Sequence, residues 1–160
     1  MSCSEAVCVL EKGKQKGVVL FHQCEYQRTT IVDITFDHMY PNKTHAIHIH
    51  ETGDTREGCK SLGNHWNPYN ETHGSLSVPQ RPRHAGDLIN NFTTDAKGHF
   101  HYRYLDPLLR LRGSDNILGR SVVVHEGVDD LGLGKNKESL ITGNAGGRMM
   151  CGVIGRVSLH

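Results

Sequence analysis

His48-Ile49-His50 sets two imidazoles two residues apart. In a strand, alternate residues share a face at about 7 Å spacing, so both rings can serve one metal ion. Taken alone, the pair reads more readily as two solvent-facing histidines. The chain continues with His65, His73, His84 and Asp87 in a glycine- and proline-rich stretch, and with His125 at the end of a Val-Val-Val run. Three neutral imidazoles with one carboxylate suit a closed tetrahedral Zn²⁺ site. Imidazoles alone, with a position left open, suit copper better. Six of the 12 histidines and one aspartate therefore suffice for two metal sites of different character.

Such ligands need rigid elements to hold them. Short period-two segments punctuated by glycine run through the chain, with no sustained helical period. Segments 6–10 and 17–25 read as strands joined through Lys12-Gly13-Lys14. Segment 29–37 alternates most clearly, with Thr30, Val32, Ile34 and Phe36 on one face and Asp33, Thr35 and Asp37 on the other. With 44–51, 86–92, 99–105, 119–125 and 149–159 the total is about eight strands, which predicts an all-β antiparallel sandwich or barrel. Stretches 52–85 and 126–147 hold few strand formers and much Gly, Asn, Pro and His. Loops of that length are functional or disordered, and the ligand types gathered in and beside them select function.

Length predicts a single domain over 1–160. A formal net charge of +1, with 22% charged residues of both signs, offers no basic stripe for phosphates and argues against a nucleic-acid partner. The longest apolar runs, 17–21 and 121–124, fall far short of the roughly 18 residues of a membrane helix. No basic segment followed by an apolar one opens the chain, so a cytoplasmic protein without a signal peptide is expected, and the sequons at Asn42, Asn70 and Asn91 are read as accidental. Five cysteines leave one unpaired in any scheme, unlike a fully bridged secreted framework.

Several longer motifs stand in a fixed order: Ala6-Val7-Cys8-Val9-Leu10, His45-Ala46-Ile47-His48-Ile49-His50-Glu51, Asn64-His65-Trp66-Asn67-Pro68, His84-Ala85-Gly86-Asp87-Leu88, Gly119 to Glu126, Asp129-Asp130-Leu131-Gly132, and Thr142 to Arg148 with Cys151 to Gly155. In these the chain resembles the copper/zinc superoxide dismutases along nearly its whole length. That family is counted among the immunoglobulin-like sandwiches, so the resemblance implies an eight-stranded Greek-key barrel or sandwich with two long functional loops. It further implies copper on His48, His50, His65 and His125, and zinc on His65, His73, His84 and Asp87, one ion of each per subunit with His65 shared. Asp129 would hydrogen-bond His48 and His73, His45 would lock the active-site loops, and Arg148 would attract the anion. Cys59 and Cys151 would form the internal disulfide, with Cys3, Cys8 and Cys24 left free.

The activity implied is the disproportionation of two superoxide anions, with two protons, to oxygen and hydrogen peroxide. A homodimer and a copper-loading chaperone would be the partners. A copper carrier or decoy on the same fold would be expected to lack a copper ligand or the arginine, and this chain keeps them all. It departs from the family pattern elsewhere. Gly127 and Ile141 stand where lysines are common, Lys135 and Lys137 supply charge at other loop positions, and the segment between His73 and His84 is two residues longer than usual. Thr52 and Arg156 stand where an aromatic and an apolar residue are common at the dimer contact, so a weaker or shifted interface is expected. His22, His38, His99, His101 and His160 have no motif around them.

Overall fold

In the computed structural model, which describes residues 2–158, alternation builds two antiparallel sheets. One contains β1 (Cys3–Lys12), β2 (Gln15–Cys24), β3 (Thr30–Asp37), β6 (Phe100–Asp106) and the two-residue β9 (Gly155–Arg156), in the order β6-β3-β2-β1-β9. The other contains β4 (Thr44–His50), β5 (Asp87–Thr93), β7 (Ser121–His125) and β8 (Arg148–Val153), in the order β5-β4-β7-β8. The last expected strand is thus two. β8 pairs with β7 in one sheet and β9 with β1 in the other, and buried Ile154 marks the corner where the chain changes sheet.

The first three strands form a meander. Lys12 lies opposite Gln15, which leaves Gly13-Lys14 as a two-residue turn, and Gly13 at φ 60° supplies the left-handed conformation that such turns require. In β3 the expected parity holds, with Thr30, Val32, Ile34 and Phe36 buried. Phe36 crosses the core to stack on Phe92 of β5, ring centroids 4.3 Å apart. Cys8 is buried in the same core, and burial pushes its thiol up to about 12.

β4 and β7 differ from this half-exposed pattern. Every residue of β7, and of β4 from His45 onward, is buried. One face of the pair supplies Ile47, Ile49, Val122 and Val124 to the core. By strand parity His48, His50 and His125 lie on the opposite face, beneath the long loops. Those loops have local order of their own, a short 3-10 helix at Gly58–Leu62 in the first and another at Lys137–Leu140 in the second.

Cys3 and Cys24, expected as free thiols, are bridged. The hairpin register puts them directly opposite each other at its open end. Counting back from the two-residue turn would have revealed this pairing. Cys8 alone of the five cysteines stays free. His99 and His101 are exposed, as expected, yet they are not simply solvated: they lie 2.7 Å from Asp37 and 2.9 Å from Asp33 across the β3–β6 pair. Among the described residues no helix is long and apolar enough to cross a membrane.

Candidate metal centre

On the loop-covered face of β4 and β7, the possible ligand atoms of His48, His50, His65 and His125 all lie within 4.8 Å of one another, and so do those of His65, His73, His84 and Asp87. His65 belongs to both groups. Its first-loop position folds back on β4 through a bridge to His50, and its ring lies 4.0 Å from that of His48, centroid to centroid. The strand pairing carries a bulge between Ala46 and His48 and another between Val124 and His125. Bulges re-aim side chains at strand ends beside functional sites.

Each ring has one nitrogen committed to the protein. His50 Nδ1 donates to Gly63 O at 2.9 Å, and His125 Nδ1 to Gly146 O at 3.1 Å. His48 Nε2 donates to Asp129 Oδ2 at 2.5 Å, and His65 Nδ1 lies 2.9 Å from Asp87 Oδ1. Four nitrogens remain: His48 Nδ1, His50 Nε2, His125 Nε2 and His65 Nε2. His48 Nδ1 is buried with no hydrogen-bond partner, while His50 Nε2 and His125 Nε2 lie 3.3 Å apart. Buried polar atoms are ordinarily satisfied, and an orphaned imidazole nitrogen facing three others suits a cation. Burial, reinforced by neighbouring imidazoles, holds His48 and His50 well below the ordinary histidine value, and burial lowers His125 to about 4. These rings are therefore neutral, as ligation requires.

The second group closes around one carboxylate. Asp87 Oδ2 accepts from the backbone N–H groups of Gly74 and His84 at 3.0 and 2.9 Å. Its Oδ1 faces Nδ1 of His65, His73 and His84 at 2.9, 3.0 and 3.3 Å. His73 Nδ1 is close without being directed as a hydrogen bond, and has no other partner. Three nitrogens and an oxygen converging with no open side match a structural Zn²⁺ donor set. Burial alone would lower His73, but its hydrogen bond to Asp129 and the nearby Asp87 carboxylate outweigh it and raise the group to about 9.

Asp129 stands between the groups, accepting from His48 Nε2 on one oxygen and from His73 Nε2 on the other, the latter at 2.9 Å. It is positioned by residues that sequence reasoning missed. Asn91 accepts the Asp129 backbone N–H and donates to its carbonyl, both at 2.9 Å. Gly143, at φ +67°, leaves room where a Cβ would strike the Asp129 carboxylate and the His73 ring. The neighbouring Asp130 ties the second loop together by accepting from Ser139 Oγ at 2.8 Å and Asn144 Nδ2 at 2.7 Å. Arg83, also unforeseen, donates to the Asp87 carbonyl and is ion-paired with buried Asp106 at 2.9 Å. His45 Nδ1 reaches the His125 carbonyl at 3.0 Å, where β7 leads into the second loop.

A cleft of about 360 Å³ opens over the four-histidine group, lined by His50, His65, His125 and Arg148 and by Glu138 and Ile141 of the second loop. Arg148 donates to the carbonyls of Cys59 and Gly63 at 2.7 and 2.6 Å. The Cys59–Cys151 disulfide, the pairing that the family resemblance implies, fastens the same loop to β8. Arg148 is the one cation lining the cleft among the described residues, and Glu138, which sequence reasoning passed over, faces it as the one carboxylate. Lys135 and Lys137, expected to supply redistributed charge here, line a separate concavity with Arg81.

The family described as "Copper/zinc superoxide dismutase (SODC)" matches residues 15–154. Curated proteins named "Superoxide dismutase [Cu-Zn]" are similar over 94% of this chain. One from Candida glabrata is 47% identical over 153 residues and 97% of its own length. One from Paramecium bursaria Chlorella virus 1 is 45% identical over 150 residues and 77% of its own length. A solved structure of the clock protein EA4 superposes with a TM-score of 0.88 at 35% identity, covering 98% of this chain and 97% of that one.

Proposed function

The chain belongs to the copper/zinc superoxide dismutase family, and from that premise we propose which residues carry the dismutation of superoxide. A bound copper ion supplies the one-electron oxidation and reduction that the reaction needs, while zinc has no redox chemistry. His48 through Nδ1, and His50, His65 and His125 through Nε2, hold the copper. His65, His73 and His84 through Nδ1, with Asp87 Oδ1, hold the zinc. The observation that carries this division is that His48, His50 and His125 each commit one nitrogen to the protein, which leaves His48 Nδ1, His50 Nε2 and His125 Nε2 convergent.

Arg148 draws superoxide into the cleft. Its guanidinium is permanently charged, and two of its N–H donors are spent on Cys59 and Gly63, which keeps it from swinging away. Asp129 fixes the tautomers of His48 and His73 together, so that the two sites share one support. When not holding copper, His65 Nε2 would be the atom suited to carry a proton to the product, because His65 Nδ1 faces Asp87 and the zinc group. The test is His125→Ala. Loss of dismutation with zinc content retained is expected, and dismutation that survives would refute the assignment.

The same reading makes residues 1–160 a single domain acting as a cytoplasmic homodimer loaded by a copper chaperone. The dimer rests on membership of the family, with Gly53, Gly119 and the exposed Val153 on the surface assigned to it. Fractionation of cells tests the compartment. Full copper loading in cells without a chaperone would remove that partner.

A further inference from the structure

The open end of the β1–β2 hairpin carries a cluster of ligand types that dismutation does not use. Cys3 lies opposite Cys24, and Glu5 opposite His22. All four side chains lie on the face turned away from buried Ala6, Cys8, Phe21 and Gln23. The two sulfurs and one ring nitrogen of His22 fall within 4.8 Å of one another. The imidazole is already oriented, with Nδ1 at 2.9 Å from Glu5 Oε1 and Nε2 at 3.2 Å from Cys24 Sγ. Metal-ligating histidines hold their second N–H on such a carboxylate. With the proton on Nδ1 and shared with Glu5, the Nε2 lone pair faces the sulfurs. Zn–S and Zn–N bonds at tetrahedral angles set the S···N separation at about 3.5 Å, close to the spacing already present.

The geometry points to a third, redox-gated metal site: when the Cys3–Cys24 bridge is reduced, the Cys3 and Cys24 thiolates and His22 Nε2 bind one Zn²⁺, with Glu5 positioning the ring. Water takes the fourth place, as in three-ligand zinc sites generally. In the bridged form the sulfurs are bonded to each other and offer no thiolate, so the site is closed. Opening it is a two-electron step. The S–S bond breaks, each sulfur gains one electron and one proton, and the reductant, a pair of cellular thiols, leaves as its own disulfide. Zinc binding then releases both thiol protons. Two thiolates with an imidazole suit zinc, and they differ in kind from the nitrogen and oxygen donors of the other two groups.

That difference supplies the test. Protein carrying both its metals is treated anaerobically with a water-soluble phosphine, its new thiols are counted by alkylation, and after removal of the phosphine it is titrated with Co²⁺ as a probe. The expected result is a thiolate-to-cobalt charge-transfer band that saturates at one ion per chain and is bleached by Zn²⁺, the tighter binder. Cys24→Ser and Cys3→Ser should each lack the band while keeping dismutation, which shows that they fold. Both variants retain Cys59 and Cys151, so thiols opened there cannot explain a difference. Glu5→Gln should keep the band and weaken cobalt binding about tenfold or more. A bridge that resists the phosphine, a reduced chain without the band, or an equal band in the serine variants would overturn the proposal.

Discussion

Asp129 shows how much one side chain can couple. Its two carboxylate oxygens accept from His48 and His73, one from each ligand group. Carboxylates that orient ligating histidines typically change metal affinity about 10–100-fold when replaced. Asp129→Asn keeps the volume but turns an N–H donor toward one of two rings that also donate there. Affinity for copper and for zinc should both fall by about 10-fold or more, read by competition with a chelator. A loss confined to one metal would show that Asp129 supports only that site. Asn91 and Gly143 hold Asp129 in place through a backbone clamp and an absent Cβ. Neither carries an ionisable or ligating group, so neither is visible as chemistry in the sequence.

At the scale of elements, period-two patterning was legible wherever one face meets the core and the other meets water. β3 is the clearest case, and the shared face of His48 and His50 follows from the same rule. Register was less legible. The bulges beside His48 and His125, and the opposition of Cys3 to Cys24, depend on which residues pair across strands, and parity along one strand says nothing about that. The two long loops announced their function by composition, but not which of their charges face the cleft. Ile141 lines it, while Lys135 and Lys137 do not. Positive charge lining a cleft raises the encounter rate of an anion. Ile141→Lys should therefore raise kcat/KM by up to about tenfold at low salt, with the gain fading as ionic strength rises. Lys135→Gln with Lys137→Gln, outside the cleft, should weaken the salt dependence by less than Ile141→Lys strengthens it. A rate indifferent to Ile141→Lys would place the steering field elsewhere.

For the whole molecule, a net charge of +1 means that long-range attraction for an anion cannot come from bulk charge. It must be local, and Arg148 is where the fold concentrates it. The Cys59–Cys151 bridge spans 92 residues and joins the loop that anchors Arg148 to β8. In the loop-entropy picture a bridge of that span contributes up to about 4–5 kcal/mol. Association is the other global property. Arg156 is exposed at the β9 edge, near the surface proposed for the dimer, so the pair should dissociate more readily than an apolar contact would allow. Sedimentation across a concentration series should show a dimer giving way to monomer on dilution. Monomer alone at every concentration would contradict the homodimer.

Seven side chains are proposed to form two metal sites joined at His65. Copper and zinc content per chain, measured on His125→Ala, His84→Ala and His65→Ala after identical loading, tests it most directly. The predicted result is loss of copper alone in the first, of zinc alone in the second, and of both in the third. A His65→Ala chain that keeps either metal at full occupancy would contradict the shared site.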